Sequence, residues 1–354
     1  MSTGCSVLSA DRSFSIFYVA AFAAAMAVLY IEGRRRAWPT SSWLVLVAAG
    51  VTFGIIGSRL GAISLADWKV ALGQGCLPTT TGKTFVGLIV LGTIGLLLVQ
   101  RFLGFRSTTG DAFALALPVG MAVMRFGCLF GGCCFGKPTS LPWGITYPAG
   151  SLASAVHQMR GLVLPGHSSL PVQPVQLYEI ILLAIVVLAL VGARCSLKRP
   201  GSLFLLYLVL HGWTRFLIEF VREGAAGPTL LGLRPLQASL LVLCAGCAVL
   251  LVIREKAPVR PQPAPVALPG RNVTVLAALA LLLTVFGSWF TPIEQFVLAS
   301  AGLPALVAVA FELVRSARRV WSRWPAVATA GAAAILLGAG SDSLPPPSIV
   351  HLSY

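Results

Sequence analysis

The stretch 111-DAFALALPVGMAVMRFGCLFGGCCFGKP-138 decides the fold, because it is long and apolar enough to cross a membrane and yet contains Arg125. A guanidinium group stays charged at any working pH and is costly in hydrocarbon, so it normally faces the bundle interior and meets an anion there. A second arginine, Arg215, lies in the similar run 211-HGWTRFLIEFVRE-223. Since few carboxylate partners are obvious, the two arginines predict an anionic ligand, and a lipid phosphate suits guanidinium geometry best.

The composition places the chain among membrane proteins. Hydrophobic residues make up 57% of the sequence, charged residues only 10%, and the mean hydropathy is +0.87. These values are typical of polytopic membrane proteins rather than soluble domains. The net charge of +15 does not indicate nucleic-acid binding, because the basic residues are spread over short gaps between apolar runs. We therefore predict an all-α, polytopic integral membrane helical bundle.

Ten apolar runs are each about the length that crosses roughly 30 Å of hydrocarbon. They lie near 14–31, 43–64, 84–104, 111–130, 176–193, 202–220, 236–253, 273–290, 295–314 and 325–340. With the N-terminus outside, sixteen lysines and arginines fall in cytoplasmic gaps and seven in outer gaps. The positive-inside rule thus predicts an outer N-terminus.

The loops divide the predicted bundle into parts. Residues 257–271 are rich in proline, so they predict a cytoplasmic linker between a front membrane domain, 1–256, and further helices in 272–354. The longest gap between spans, 136–175, lies on the predicted outer side, and loops of that length often carry function.

Polar side chains line one face of a later run. His211, Arg215, Glu219 and Arg222 are spaced by four, four and three residues, which puts them along one side of a helix. This stripe predicts either a ladder of ion pairs or part of a ligand site. Glu179 opens another run, where a carboxylate is also favoured by the helix dipole. Histidines of the loops, such as His157 and His167, are expected to be solvated.

Glycines and cysteines concentrate after Arg125. Gly127, Gly131, Gly132 and Gly136 would let backbone or ligand approach closely. Cys128, Cys133 and Cys134 lie at the predicted outer end, where a disulfide with Cys76 is conceivable. They lack paired CxxC spacing and have no histidine near in sequence, so we expect no metal site, and no cofactor is indicated.

Read in order, several segments resemble the bacterial prolipoprotein diacylglyceryl transferases across roughly residues 14–223. The segments are 82-GKTFVGLIV-90, Asp111, 125-RFGCLFGGCCFGKPTSLPWGITYP-148, 157-HQMRGL-162, 171-PVQPVQLYE-179 and 211-HGWTRFLIEFVRE-223. The resemblance implies an inner-membrane enzyme, typically of seven helices, that moves the diacylglyceryl group of phosphatidylglycerol onto the lipobox cysteine of a preprolipoprotein and releases glycerol 1-phosphate at the outer face. The three last apolar runs would be additional.

The resemblance also assigns roles. Arg125 matches the family's essential arginine, and Arg215 matches the arginine of the later helix, so both are expected to be catalytic. The expected substrate-binding residues are Tyr18, Asp111, Gly136, Gln176, Tyr178, Glu179, Glu219 and Arg222.

Some positions depart from the family pattern. Val86 stands where the family often has a histidine, Met124 stands before Arg125 in place of a glycine, and Cys128 occupies an asparagine position. A thiol must become a thiolate to attack, which needs a base or a cationic field. With Val86 in the histidine's place, His211 is the remaining imidazole one turn from Arg215, and we predict it as catalytic. A non-catalytic phospholipid-binding or transport protein is the main alternative, and a thiol-redox membrane protein is a third.

Overall fold

The computed structural model describes residues 3–63, 65–74, 84–105, 107–223, 232–258 and 269–338. Across these ranges the regular structure is helical, with only isolated β-bridges, which confirms the predicted all-α class. The helices are α1 (Thr3–Arg35), α2 (Thr40–Leu60), α3 (Leu65–Gln74), α4 (Phe85–Phe102), α5 (Gly110–Gly131), α6 (Leu152–Met159), α7 (Val175–Ala193), α8 (Ser202–Val221), α9 (Pro235–Lys256), α10 (Pro269–Phe286) and α11 (Pro292–Gly338), with a 3-10 turn at Gly287–Trp289.

Seven helices in the described ranges are long and apolar enough to cross a membrane: α1, α2, α5, α7, α8, α9 and α11. Helices α4 and α10 are apolar but shorter. The protein is thus a multi-pass membrane protein. Separate spans were predicted at 295–314 and 325–340, whereas the single helix α11 runs through the first and on to Gly338. The basic residues between these runs are good helix formers, and 315–324 contains no glycine or proline that would end a helix.

Helix α5 is central to the part of the bundle that carries the predicted site. It packs along α1 and also contacts α7 and α8, while α9 packs on α8. A side chain at Gly120 would meet the Ala21 carbonyl oxygen and the Ala25 Cβ, each at 3.1 Å, so this glycine permits the close approach of α1 and α5. The three helices α5, α7 and α8 hold Arg125, Glu179 and Arg215.

Helix α2 joins the rest of the chain to the C-terminal helices. It packs against α4, and both α10 and α11 lie on it. One buried apolar cluster combines Trp43 and Ala48 of α2 with Val275 of α10 and Ala305 of α11. The predicted boundary at 257–271 therefore does not divide this core. Residues 259–268 lie outside the described ranges, and 269–271, predicted as linker, form the first turn of α10.

The long loop forms a folded cap over the ends of α5, α7 and α8. Gly136 pairs with Arg222, and Val172 pairs with both Pro138 and Ile145, in short antiparallel bridges. Contrary to the expectation of a solvated side chain, His157 on α6 is fully buried, because its Nδ1 accepts a hydrogen bond from the Leu170 amide at 3.1 Å and its ring packs on Phe135. His167 is exposed, as predicted.

Candidate active site

One carboxylate links the two arginines that the sequence singled out. Glu179 Oε1 accepts a hydrogen bond from Arg215 Nη1 at 2.8 Å, and Glu179 Oε2 lies against Arg125 Nε. The exposed fractions of these side chains are 12% for Arg125, 18% for Arg215 and 9% for Glu179. The expectation of few carboxylate partners is therefore wrong for this pair, because α7 places Glu179 between α5 and α8.

Further charges extend this group. Glu219 pairs with Arg215 at 3.5 Å and with Arg234 at 2.8 Å. Arg222 approaches the Cys134 sulfur, with 3.8 Å between Nη2 and Sγ. We call the six residues the arginine cluster, comprising Arg125, Arg215, Arg222, Arg234, Glu179 and Glu219. Four guanidinium groups face two carboxylates, so two positive charges in the cluster are unbalanced.

A small pocket opens beside the cluster. Its polar lining consists of Arg125, Glu179, His211, Thr214 and Arg215, and its apolar lining consists of Met121, Leu182, Leu183 and Ile218. His211 is buried and stacks on Tyr207 with ring centroids 5.5 Å apart. The cavity thus offers cationic and apolar walls together, as an amphiphilic substrate requires.

Other predicted residues hold the loop on the cluster rather than line the cavity. Gln176 is fully buried and donates to the Cys133 carbonyl at 2.7 Å and to the Tyr147 hydroxyl at 3.2 Å. Burial raises the pKa of Tyr147 to about 12, so this hydroxyl stays protonated at neutral pH. The Tyr178 hydroxyl accepts a hydrogen bond from Trp143 Nε1 at 2.8 Å.

Gly136 is needed for close packing. A Cβ there would lie 2.7 Å from the Gln173 carbonyl oxygen and 2.7 Å from Val175 Cγ2. Contacts that short do not occur in real structures. Gly136 therefore lets the loop run directly against the start of α7, where Gln176 and Glu179 are positioned.

Three residues singled out by the resemblance lie elsewhere. Asp111 begins α5 and accepts from the amides of Gly201 and Phe204 at 2.7 and 3.2 Å, so it caps the start of α8. It is separated from Arg125 by about 21 Å, at 1.5 Å per residue along α5. Tyr18 packs with an apolar cluster that includes Ile55. Val86 lies on α4 and is 57% exposed. These three residues do not line the cavity.

Sequence reasoning missed two features. Arg234 precedes α9 and has no helical spacing to the other arginines, so only the fold reveals its contact with Glu219. The sulfurs of Cys128, Cys133 and Cys134 lie within 4.8 Å of one another, although their spacing had argued against a metal site. Cys76 lies outside the described residues, so the conceivable disulfide stays a prediction.

The helices and the cluster define a multi-pass membrane protein with a positively charged site at one end of its bundle. A sequence model of the prolipoprotein diacylglyceryl transferases matches residues 8–253, more than half of the chain. The chain belongs to this family and is a membrane-bound transferase. The predicted resemblance is confirmed, and the match extends it through most of α9, leaving α10 and α11 outside.

Individual relatives carry the same name. Three proteins called phosphatidylglycerol–prolipoprotein diacylglyceryl transferase come from Nitratidesulfovibrio vulgaris, Paenarthrobacter aurescens and Dehalococcoides mccartyi. They are 30%, 31% and 33% identical to this chain over 60%, 63% and 60% of its length. The alignments span 77%, 72% and 77% of those proteins.

Proposed function

We propose that this protein transfers the diacylglyceryl group of phosphatidylglycerol to the lipobox cysteine thiol of a preprolipoprotein and releases glycerol 1-phosphate. The observation that carries the proposal is the unbalanced arginine cluster beside a pocket that charged and apolar side chains line together. A phosphodiester supplies the missing negative charge, and the adjoining lipid tails fit an apolar wall. Family membership and the names of the relatives support the same reaction.

Arg125 and Arg215 would hold the phosphate and stabilise the charge that develops on it. When the carbon–oxygen bond to phosphate breaks, the phosphate changes from a monoanion to a dianion. Fixed guanidinium groups in a water-poor site stabilise such developing charge well. Arg125 meets Glu179 through Nε, and in the described residues its two terminal nitrogens have no carboxylate partner. Nη1 lies 3.8 Å from the Cys128 sulfur, so Nη2 is the terminal nitrogen that remains for a phosphate oxygen.

Three further charged residues would position the phosphate-binding arginines, namely Glu179, Glu219 and Arg222. Glu179 touches both arginines and so fixes their separation, while Glu219 joins Arg215 to Arg234. Gly136, Gln176 and Tyr178 would shape the loop side of the substrate path. Asp111 and Tyr18 are not among the residues that line the pocket, so they receive no substrate contact in this proposal.

His211 would accept the proton of the attacking thiol. It lines the same cavity as Arg125 and Arg215, one helical turn from the latter. A general base contributes when it lies within reach of the proton it removes. Because Val86 is exposed on α4 and outside the cavity, the position of the family's histidine supplies no imidazole here.

The proposal includes an orientation in the bacterial inner membrane, with the N-terminus outside and the site at the outer face. A membrane-impermeant thiol reagent applied to whole cells should label a cysteine introduced at 140–170 more strongly than the unmodified chain. A cysteine introduced at 257–270 should add no label until the membrane is permeabilised. The reverse pattern would put the site on the wrong face and contradict the orientation.

Complementation tests the reaction in cells. The host's own transferase is depleted while this chain is expressed, and lipid modification of an indicator lipoprotein is followed. The wild-type chain should restore modification, and Arg125→Lys at equal membrane levels should not. A wild-type chain that reaches normal levels and restores nothing would contradict the transferase proposal and favour a phospholipid-binding protein.

A further inference from the structure

The end of α5 is shaped so that three thiols face one another. Cys128 lies in the last turn of the helix, and Gly132 follows in the left-handed conformation with φ of 64°. That turn brings the Cys133 amide to the Cys128 carbonyl at 3.2 Å. Cys134 also has a positive φ, 58°, which costs a residue with a side chain about 1 kcal/mol or more. Backbone strain of this kind is concentrated at functional sites.

The three sulfurs have nearly the spacing that a metal ion requires. They lie within 4.8 Å of one another. In a tetrahedral zinc site with Zn–S bonds of about 2.3 Å, neighbouring sulfurs are about 3.8 Å apart. A contraction of about 1 Å, within the reach of small side-chain rotations, would therefore close the site.

The surrounding charges favour bound thiolates. Arg125 Nη1 lies 3.8 Å from the Cys128 sulfur, and Arg222 Nη2 lies 3.8 Å from the Cys134 sulfur. Three thiolates around a divalent ion leave one net negative charge, which these two guanidinium groups offset. Both arginines belong to the arginine cluster, so the thiols adjoin the proposed phosphate site.

The number of ligands points to an open metal site. Among the described residues the group contains three ligands, Cys128, Cys133 and Cys134. Structural zinc ions are held by four protein ligands, whereas catalytic zinc ions keep three and leave a fourth position for water or substrate. Zinc is also inert to redox change, which suits a transfer that oxidises nothing.

We propose that Cys128, Cys133 and Cys134 bind one Zn²⁺ ion, and that its fourth position takes the lipobox cysteine of the substrate as a thiolate. This inference rests on the proposed function, and it adds to His211 a metal ion that favours the thiolate form of the substrate cysteine. A thiol coordinated to zinc is deprotonated outright, so zinc activates the nucleophile beside the phosphate that Arg125 holds.

The step balances. The substrate thiol displaces water from zinc, and that water carries the thiol proton to His211. The zinc-bound sulfur then attacks the glyceryl carbon that bears the phosphate, so a carbon–sulfur bond forms as the carbon–oxygen bond breaks. The electron pair of that bond leaves with the phosphate oxygen toward Arg125 and Arg215. The thioether dissociates from zinc, and water returns to the fourth position.

Metal content tests the site without any reaction. The full-length chain is purified from zinc-supplemented cells, and its metals are measured by mass spectrometry. We expect about one zinc ion per chain in the wild type and a loss of at least tenfold in Cys133→Ser and Cys134→Ser. Cys195→Ser, which removes an exposed cysteine at the end of α7, is the matched control and should retain the zinc. A cooperative thermal unfolding transition in the serine variants shows that they are folded.

Cobalt substitution tests the open position. The Co²⁺-loaded chain should show thiolate-to-cobalt absorption that increases when a lipobox peptide is added, and a peptide with serine in place of the cysteine should leave it unchanged.

A zinc-free chain that transfers diacylglyceryl at the wild-type rate would overturn this inference and leave the proposed function intact. A disulfide among the three cysteines, or copper bound in preference to zinc, would also overturn it. A zinc-loaded chain that responds to the peptide but transfers nothing would instead contradict the proposed function.

Discussion

Two arginines at different places in the bundle behave in opposite ways. Arg59, at the end of α2, meets Glu294 of α11 through Nε at 3.2 and 3.0 Å and through Nη2 at 2.7 Å. Its remaining terminal nitrogen donates to the Trp289 carbonyl, and its guanidinium packs 5.4 Å from the Trp289 ring centre. Glu294 also accepts from the Thr291 amide and hydroxyl. One positive and one negative charge thus satisfy each other.

The charges around Arg125 do not balance as those around Arg59 do. It shares Glu179 with Arg215, and the arginine cluster keeps two more positive than negative charges beside a cavity. A buried arginine is therefore not by itself the mark of a binding site. The ratio of charges and the adjoining space distinguish a structural pair, which joins α2 to α11, from a site prepared for an anion.

The largest expected effect is on stability, at the structural pair. Glu294→Ala leaves Arg59 buried without its carboxylate, and breaking a buried pair costs about 3–5 kcal/mol. We expect a clearly lower unfolding temperature in detergent. Transfer per folded molecule should be unchanged, because α11 lies outside the arginine cluster. A Glu294→Ala variant that unfolds at the wild-type temperature but has lost transfer would contradict the assignment of Arg59 to stability and Arg125 to activity.

The next effect is on activity, at the cluster. Arg125→Lys and Arg215→Lys keep the charge but lose the planar, two-donor grip of guanidinium, so each should lower the transfer rate by about 10²- to 10³-fold. Arg59→Lys is the matched control and should transfer at the wild-type rate per folded molecule. Near-normal transfer by both variants at normal protein levels would show that Arg125 and Arg215 do not bind the phosphate.

His211→Phe should act more selectively. It removes the proposed proton acceptor while keeping an aromatic ring against Tyr207, so turnover should fall by about 10²-fold, a usual size for a general base. The affinity of the purified protein for vesicles of phosphatidylglycerol should change little. His167→Phe changes an exposed loop histidine and serves as the control. Equal activity of the two variants would remove His211 from the reaction.

The smallest effect is a pH response of the loop. Burial lowers the pKa of His157 below its unfolded value of 6.5, and this exceeds the opposing influence of Glu223. The folded loop therefore prefers neutral His157, and its stability is present above pH 6.5 and declines as the pH falls from there toward the lower folded value. Protection factors for amide hydrogen exchange in residues 132–174, corrected for the pH dependence of the intrinsic rate, should fall on acidification in the wild type and in His167→Gln. His157→Gln should weaken that response, and a response that persists unchanged would assign it to another group.

The sequence predicted the helical class, because hydropathy is a local property, and the family resemblance placed Arg125 and Arg215 in one site. It did not predict that Glu179 bridges the two, since that contact depends on how α7 lies between α5 and α8. Helix geometry could have separated Asp111 from Arg125, given that fourteen residues span about 21 Å. The sequence argued against a metal site at Cys128, Cys133 and Cys134 because they lack CxxC spacing, whereas a left-handed turn at Gly132 brings their sulfurs together.

The most direct test of the account is transfer by the purified full-length chain. Phosphatidylglycerol vesicles and a lipobox peptide are supplied, and both glycerol phosphate release and peptide lipidation are measured. We predict equal amounts of the two products with the wild type and with Arg59→Lys, and a loss of both with Arg125→Lys. A wild-type chain that binds phosphatidylglycerol but yields neither product would contradict the account and identify a lipid-binding protein on the same scaffold.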